Sequence, residues 1–329
     1  MTLKDKLPGI SITIITGLAA LFLSEHYGAP AMLFALLLGI AMSFLYQESP
    51  CKAGIEFSAT FVLRLGVALL GLRIALSDVL SLGWQTIALL ALAIASTILI
   101  GIAGAKLLGL NKKFGALTGG SVAICGASAA MAITAILPDH KHKERDTLLT
   151  VIGVTSLSTI VMVVYPIVVS YLGLSSADAA LFLGGTIHDV AQVVGAGYSV
   201  SEQTGDLSTL IKLVRVSMLM PVVVIMLLVI KRSYRHAGVD GTAAQSAKVP
   251  LFLIAFVALM LLNSWLTIPA PVVEYATAFS RFALITAIAA IGMKSDLAKL
   301  TSVGFTPILL MIIETLWIAG FILLAIFIR

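Results

Sequence analysis

The chain has 329 residues, 60% of them hydrophobic and only 11% charged, with a mean hydropathy of +1.09 and a formal net charge of +5. Soluble domains are about a quarter charged, so the composition excludes one and points to an all-α polytopic membrane protein. Continuous apolar runs, rather than alternation with period two, exclude a β-barrel. Cys51 and Cys125 give neither a disulfide framework nor a metal set. The positive charge fits basic loops under the positive-inside rule and not nucleic-acid binding. No cofactor and no ATP site are expected, since no Gly-x-x-x-x-Gly-Lys-Ser/Thr run occurs.

A span needs roughly 20 apolar residues, and about eleven segments qualify in one multi-pass domain covering residues 1–329. The first, Ile10 to Leu23, follows Lys4 and Lys6 as a signal peptide would. It lacks an A-x-A-like site and reads as a retained helix. Ala31 to Tyr46, Phe57 to Ile74 and Trp84 to Leu108 come next. The fifth, Phe114 to Leu137, holds the stretch Leu117 to Ile133, LTGGSVAICGASAAMAI. Its small residues suit close backbone approach, which a tightly packed helix would explain. Its glycines, Gly119, Gly120 and Gly126, also suit a helix that breaks inside the bilayer, where breaks form substrate sites. The remaining segments are Thr147 to Tyr171, Ala179 to Tyr198, Leu210 to Ile230, Leu251 to Leu266, Val272 to Met293 and Gly304 to Ile328.

The polar connector at 231–248 carries Lys231, Arg232 and Arg235 and reads as cytoplasmic, with the N-terminus on the same side. The charges conflict around the fifth segment. Lys112 and Lys113 precede it, and Lys141, Lys143 and Arg145 follow it, so both ends look cytoplasmic. Either the fifth and seventh segments are re-entrant or broken, or the charge rule fails locally. The link with Glu202 and Asp206 looks external. Weak internal echoes suggest inverted repeats. Gly71-Leu72-Arg73 with Gly83-Trp84 matches Gly292-Met293-Lys294 with Gly304-Phe305 at the same spacing.

Buried polar residues are the candidates for chemistry, since a charge inside a bilayer costs at least about 2.5–3.5 kcal/mol. Arg64 sits mid-segment among leucines. The seventh segment carries His188, Asp189 and Gln192, with His188 and Gln192 on one helical face. Lys212 and Arg215 share a face at the start of the eighth, where they can also snorkel to the interface. Arg281 and Glu314 are expected to pair between helices. Cys125 reads as a small packing residue.

Three runs carry a family resemblance: Gly-Gly-Ser-Val-Ala-Ile-Cys-Gly-Ala-Ser-Ala (119–129), Ile-His-Asp-Val-Ala-Gln-Val-Val-Gly-Ala-Gly (187–197) and Lys-Leu-Val-Arg-Val-Ser-Met-Leu-Met-Pro (212–221). They resemble the YeiH-type family of bacterial inner-membrane proteins, which carries a sulfate-exporter label. Asp189 stands where that family often has Glu. The resemblance implies a fold related to cation/proton antiporters, bile-acid symporters and auxin carriers. That fold has two inverted five-helix repeats, a panel and a core, and broken helices crossing near the midplane. The fifth and tenth segments would be the crossing pair, and the first helix would be the extra one.

The expected function is secondary transport of a small anion, with sulfate or a sulfonate to the fore, coupled to H⁺ or Na⁺. The expected substrate-binding residues are Arg64, Gly119, Gly120, Ser121, Cys125, Gly126, Ser128, His188, Asp189, Gln192, Lys212 and Arg215. The anion would use the cationic side chains and half-helix N-termini. The alternative within transport is a cation or proton antiporter centred on Asp189 and Glu314. An intramembrane enzyme would need a nucleophile–base or metal constellation, and His188 is the only histidine deep in a segment. The lipid bilayer and a homodimer complete the partners considered.

Overall fold

The computed structural model describes residues 3–28, 30–47, 49–74, 77, 82–138, 142–236, 251–266, 268–295 and 303–328. Residues 237–248 of the polar connector, and Lys141, lie outside them. The described chain is all-α. It begins with α1 (Leu3–Tyr27), α2 (Ala31–Ala41), a short 3-10 turn at Ser43–Tyr46 and α3 (Lys52–Leu70). After α4 (Gly83–Leu107) come α5 (Lys112–Ala123), α6 (Ala127–Ile136) and α7 (Lys143–Tyr171). Then follow α8 (Ser176–Thr186), α9 (Val190–Val200), α10 (Glu202–Ser217) and α11 (Leu219–His236). The chain closes with α12 (Leu251–Trp265), α13 (Ala270–Lys294) and α14 (Phe305–Ile328).

Seven helical runs among the described residues are long and apolar enough to cross a membrane: α1, α3, α4, α7, α10 continued into α11, α13 and α14. The sequence reading expects about eleven segments. The second and ninth appear as helices of 11 and 15 residues, and the fifth and seventh are each split in two. Many exposed side chains on the long helices are apolar, among them Leu99, Ile167, Leu228 and Leu324, as a lipid-facing surface requires.

The split segments do not run on across the bundle. Each folds back as a hairpin. A methyl group built on Gly120 of α5 would collide with the side chain of Ile133 in α6, so the two helices lie side by side. Their outer ends also converge, because Lys112 and Lys113 line the same groove as Leu137 and Pro138. Thr134 and Lys143 tie α6 to the start of α7, through Thr147 at 2.9 Å and the Leu137 carbonyl at 2.8 Å.

The second hairpin occupies the other half of α7. The Asp189 amide meets Ser158, Gly195 packs on Met162, and Phe182 of α8 stacks on Tyr165 with ring centroids 4.9 Å apart. Moving along α7 from Ser158 to Tyr165 thus passes down both α8 and α9 together. α14 repeats the pattern, touching α5 at Glu314 and α8 at Ile322. The hairpins therefore enter from opposite faces and meet tip to tip near the middle of the bundle.

This arrangement removes the charge conflict of the fifth segment, since Lys112, Lys113, Lys143 and Arg145 all stand at the base of one hairpin. Asp178, Glu202 and Asp206 stand at the base of the other. It also corrects two implications of the family resemblance. The partner of the fifth segment at the midplane is the seventh and not the tenth, because α13 is an unbroken helix of 25 residues. The paired elements meet as re-entrant hairpins and not as crossing helices, because the chain reverses at Gly126, whose φ of +65 and ψ of −124 only glycine adopts readily.

Close helix packing follows the small residues. A methyl on Gly39 of α2 would lie 2.9 Å from the Cα of Gly292 in α13. One on Gly101 of α4 would lie 3.0 Å from the Cα of Gly119 in α5. Glycine lets these backbones touch where lipid gives no hydrophobic drive to associate. The contacts sort the chain into two bodies. α1, α2, α3, α12 and α13 pack on one another, both hairpins pack with α4, α7, α10, α11 and α14, and α9 bridges the two.

Candidate functional site

Each hairpin presents two helix ends at its tip. The entering helices, α5 and α8, end there with free carbonyls, and the returning helices, α6 and α9, begin there with free amides. Two fully buried cations of α10 take the carbonyl ends. The Lys212 ammonium donates to the carbonyls of Ile124 (2.6 Å), Ile187 (2.8 Å) and His188 (2.6 Å). Arg215 donates from Nε to Ala123 (2.5 Å), from Nη2 to Val122 (2.8 Å), and from Nη1 to Ile187 (3.0 Å) and Gly184 (3.3 Å). All three protons of the ammonium are used. The cations also face the negative ends of two helix dipoles. Lys212 and Arg215 are thus a clamp that joins the hairpin tips. In this structure their donors serve the backbone carbonyls of the two tips and not the cavity.

The amide ends face the other way, into a cavity of about 380 Å³ between the two bodies. Ala127 at the start of α6 and Asp189, Ala191 and Gln192 at the start of α9 form one wall with Val151, Ile152, Thr155, Ser156 and Thr159 of α7. Tyr46, Ala59, Thr60 and Leu63 form the other with Ile291, Lys294 and Ser295 at the end of α13. Gly126 gives α6 no side-chain cap, and of the first-turn amides that of Ala129 turns to the Cys125 thiol while those of Ala127 and Ser128 have no partner among the described residues. In α9, Asp189 caps the helix by accepting from the Ala191 amide at 3.2 Å. Gln192 is 4% exposed, and its Oε1 has no partner. Hydroxyls, an ammonium, one carboxylate and a free helix N-terminus meet in this space. The set suits an oxyanion better than an apolar ligand.

The expected site residues divide accordingly. Asp189 and Gln192 line the cavity, and Gly126 shapes it from the tip. Cys125 is buried within the same turn. Gly119, Gly120 and Ser121 lie inside α5, ahead of the break, where Ser121 donates to the Leu117 carbonyl at 2.6 Å. Ser128 is exposed and outside the cavity lining. Arg64 is exposed on α3 and does not reach the cavity, which takes Leu63 from the same turn. His188 is fully buried but turns toward α14, with Nε2 3.0 Å from the Thr315 hydroxyl. That hydroxyl donates to the Met311 carbonyl at 2.7 Å, so Nε2 must carry the proton of this bond. Nδ1 is left without a partner.

The expected Arg281–Glu314 pair does not form. Arg281 bonds Glu202 at 2.8 Å, and Glu202 also meets Arg73 at 3.2 Å. Glu314 lies deep in the core and accepts from Thr118 at 2.7 Å. Sequence reasoning missed Lys294 and the hydroxyls of α7. Lys294 had a signal, because it sits in the Gly-Met-Lys echo of Gly-Leu-Arg, but it falls one residue beyond the tenth segment as read from sequence. The threonines and serines of α7 had none, since their spacing is ordinary for a membrane helix.

Comparisons with known proteins place this chain. The profile of the family described as "Conserved hypothetical protein 698" matches residues 8–311. The chain belongs to that family. A UPF0324 membrane protein of Chlorobaculum tepidum is 51% identical over 317 residues, covering 96% of this chain and 88% of the relative. One from Rhizobium meliloti is 52% identical over 316 residues, covering 96% and 91%. The UPF0324 membrane protein TauZ of Paracoccus pantotrophus is 49% identical over 321 residues, covering 97% and 94%. The family resemblance read from the three sequence runs holds, and the relatives are named membrane proteins, in keeping with the apolar helices. Among solved structures, the sodium proton antiporter MjNhaP1 of Methanocaldococcus jannaschii aligns over 98% of this chain and 99% of its own, at 16% identity and a TM-score of 0.30. A score that low is no basis for assigning the fold.

Proposed function

We propose that this family member is a secondary-active transporter of a small oxyanion in the bacterial inner membrane, with sulfate or a sulfonate as the class to test first. The observation that carries the reading is the uncapped N-terminus of α6 opening, beside Lys294, into a polar cavity between two packed bodies. Backbone amides and the helix dipole favour an anion there. The bodies meet chiefly through α9, so sliding or rocking one against the other would expose the cavity to each face in turn. The opposed hairpins, and the positive-φ glycines Gly83, which opens α4, and Gly304, which precedes α14, support an inverted repeat. Catalysis is the poorer reading, because the cavity lining has hydroxyls but neither histidine nor cysteine among the described residues.

The test is the melting temperature of purified protein against a panel of anions and cations at two pH values. A ligand at a hundredfold excess over its dissociation constant stabilises by about 2.7 kcal/mol. Stabilisation by sulfate or a sulfonate that disappears in Lys294→Ala supports the reading. The second reading, a cation-coupled carrier, rests on Asp189 in the cavity wall. If only Na⁺ or pH moves the melting temperature, and Asp189→Ala removes that response, the anion assignment is replaced.

A further inference from the structure

We propose that Glu314 is the proton-binding site of this carrier, an inference that rests on the transport reading above. Glu314 is fully buried. Its Oε1 accepts from the Thr118 hydroxyl at 2.7 Å, and its Oε2 has no hydrogen-bond partner. No lysine, arginine or histidine forms an ion pair with it among the described residues. An ionised carboxylate at this depth, lacking a counter-charge, would cost several kcal/mol. A proton on the free oxygen removes that cost. Its surroundings are built to fit tightly. A methyl on Gly101 of α4 would come 2.5 Å from Oε1, so only glycine leaves room for the carboxyl between α4, α5 and α14.

The ionisable groups of the packed elements are elsewhere. Lys106 of α4 and Lys112 and Lys113 of α5 sit at helix ends. Those of α7 are in its first turn or lie from Tyr165 onward, and Asp178 opens α8. The one that reaches this turn of α14 is His188, through Thr315. Adjacent residues of α14 therefore hold both hairpins, with Glu314 on Thr118 of the first and Thr315 on His188 of the second. The charge state of Glu314 is felt at the two tips that build the oxyanion cavity. The step is a simple one. The carboxylate takes one H⁺ from water when a face opens, crosses as the neutral acid, and returns the H⁺ at the other face, with no other bond changed.

The experiment uses the full chain in proteoliposomes with sulfate as the probe, comparing uptake driven by a pH gradient with sulfate exchange at equal pH. Wild type should show both, and Glu314→Gln should keep exchange and lose the gradient-driven component. A Glu314→Gln variant still driven by the gradient overturns the proposal. So does wild type that exchanges sulfate but ignores the gradient. Wild type that does neither counts against the transport reading itself. Should Glu314→Gln fail to fold, Thr118→Val keeps the carboxyl and removes its donor. The midpoint of the uptake-against-pH curve should then move by at least half a pH unit on the order expected for one hydrogen bond to a charged group, and an unmoved midpoint overturns the proposal.

Discussion

The hairpin α5–α6 turns through Ile124-Cys125-Gly126, where glycine reverses the chain and leaves the returning helix uncapped. The hairpin α8–α9 turns through Ile187-His188-Asp189 with negative φ at Ile187 and Asp189, and Asp189 caps the returning helix. The two tips share one clamp on their carbonyl side, Lys212 and Arg215, but differ on their amide side. One offers free N–H groups to the cavity, and the other spends an amide on its own carboxylate. The first tip is thus suited to hold an anion. The second sets a carboxylate in the same cavity wall, which under the proposed anion reading would limit affinity and favour release.

The largest effect expected from breaking this comparison comes from the shared clamp. Lys212→Met removes three charge-assisted bonds and leaves buried carbonyls unpaired at both tips. The carbonyls of Ile124 and His188 lose their buried donor, at about 1–3 kcal/mol each, so the melting temperature and the folded yield should fall sharply. A Lys212→Met protein that melts like wild type would mean that Arg215 alone holds the tips together.

Gly126→Ala tests the first tip alone. The added methyl has room, at 3.4 Å from Val154, so the cost is backbone strain of about 1–3 kcal/mol. The melting temperature should fall and sulfate stabilisation should vanish. Unchanged sulfate binding would remove α6 from the site.

Asp189→Asn sharpens the contrast at the second tip. Asparagine caps as well as aspartate, so stability should hold, whereas Asp189→Ala should cost about 1 kcal/mol. Removing the charge should raise affinity for sulfate in a calorimetric titration. Weaker binding would show that the carboxylate serves the ligand.

The smallest effect on stability is expected at the bases. Lys113→Cys and Lys143→Cys should leave folding intact, and both should react with an impermeant thiol reagent from the same face of sealed vesicles. Labelling from opposite faces would replace the re-entrant hairpin by a crossing helix.

Much of this was legible in the chain. Composition and continuous apolar runs determined an all-α membrane protein, because lipid leaves the backbone no other partner than itself. The glycine-rich fifth and seventh segments and the lysines on both flanks of the fifth marked the irregular elements and their sidedness conflict. The cationic pair Lys212 and Arg215, three residues apart in an apolar helix, was visible as charge either for an anion or for the membrane interface. What they pair with was not. A lysine buried by backbone carbonyls and one buried for a ligand have the same local sequence, and only the meeting of Ile124, Ile187 and His188 in space separates the two. For the same reason Arg281 and Glu314 looked like partners by sign and depth, while the helix rotations place them on Glu202 and Thr118. The cavity likewise draws on the 3-10 turn at Ser43–Tyr46 and on α3, α6, α7, α9 and α13, so its hydroxyls and Lys294 come together only through long-range packing. Local sequence determined which segments break and which charges are costly; tertiary structure decided which of those charges the backbone consumes and which face the cavity.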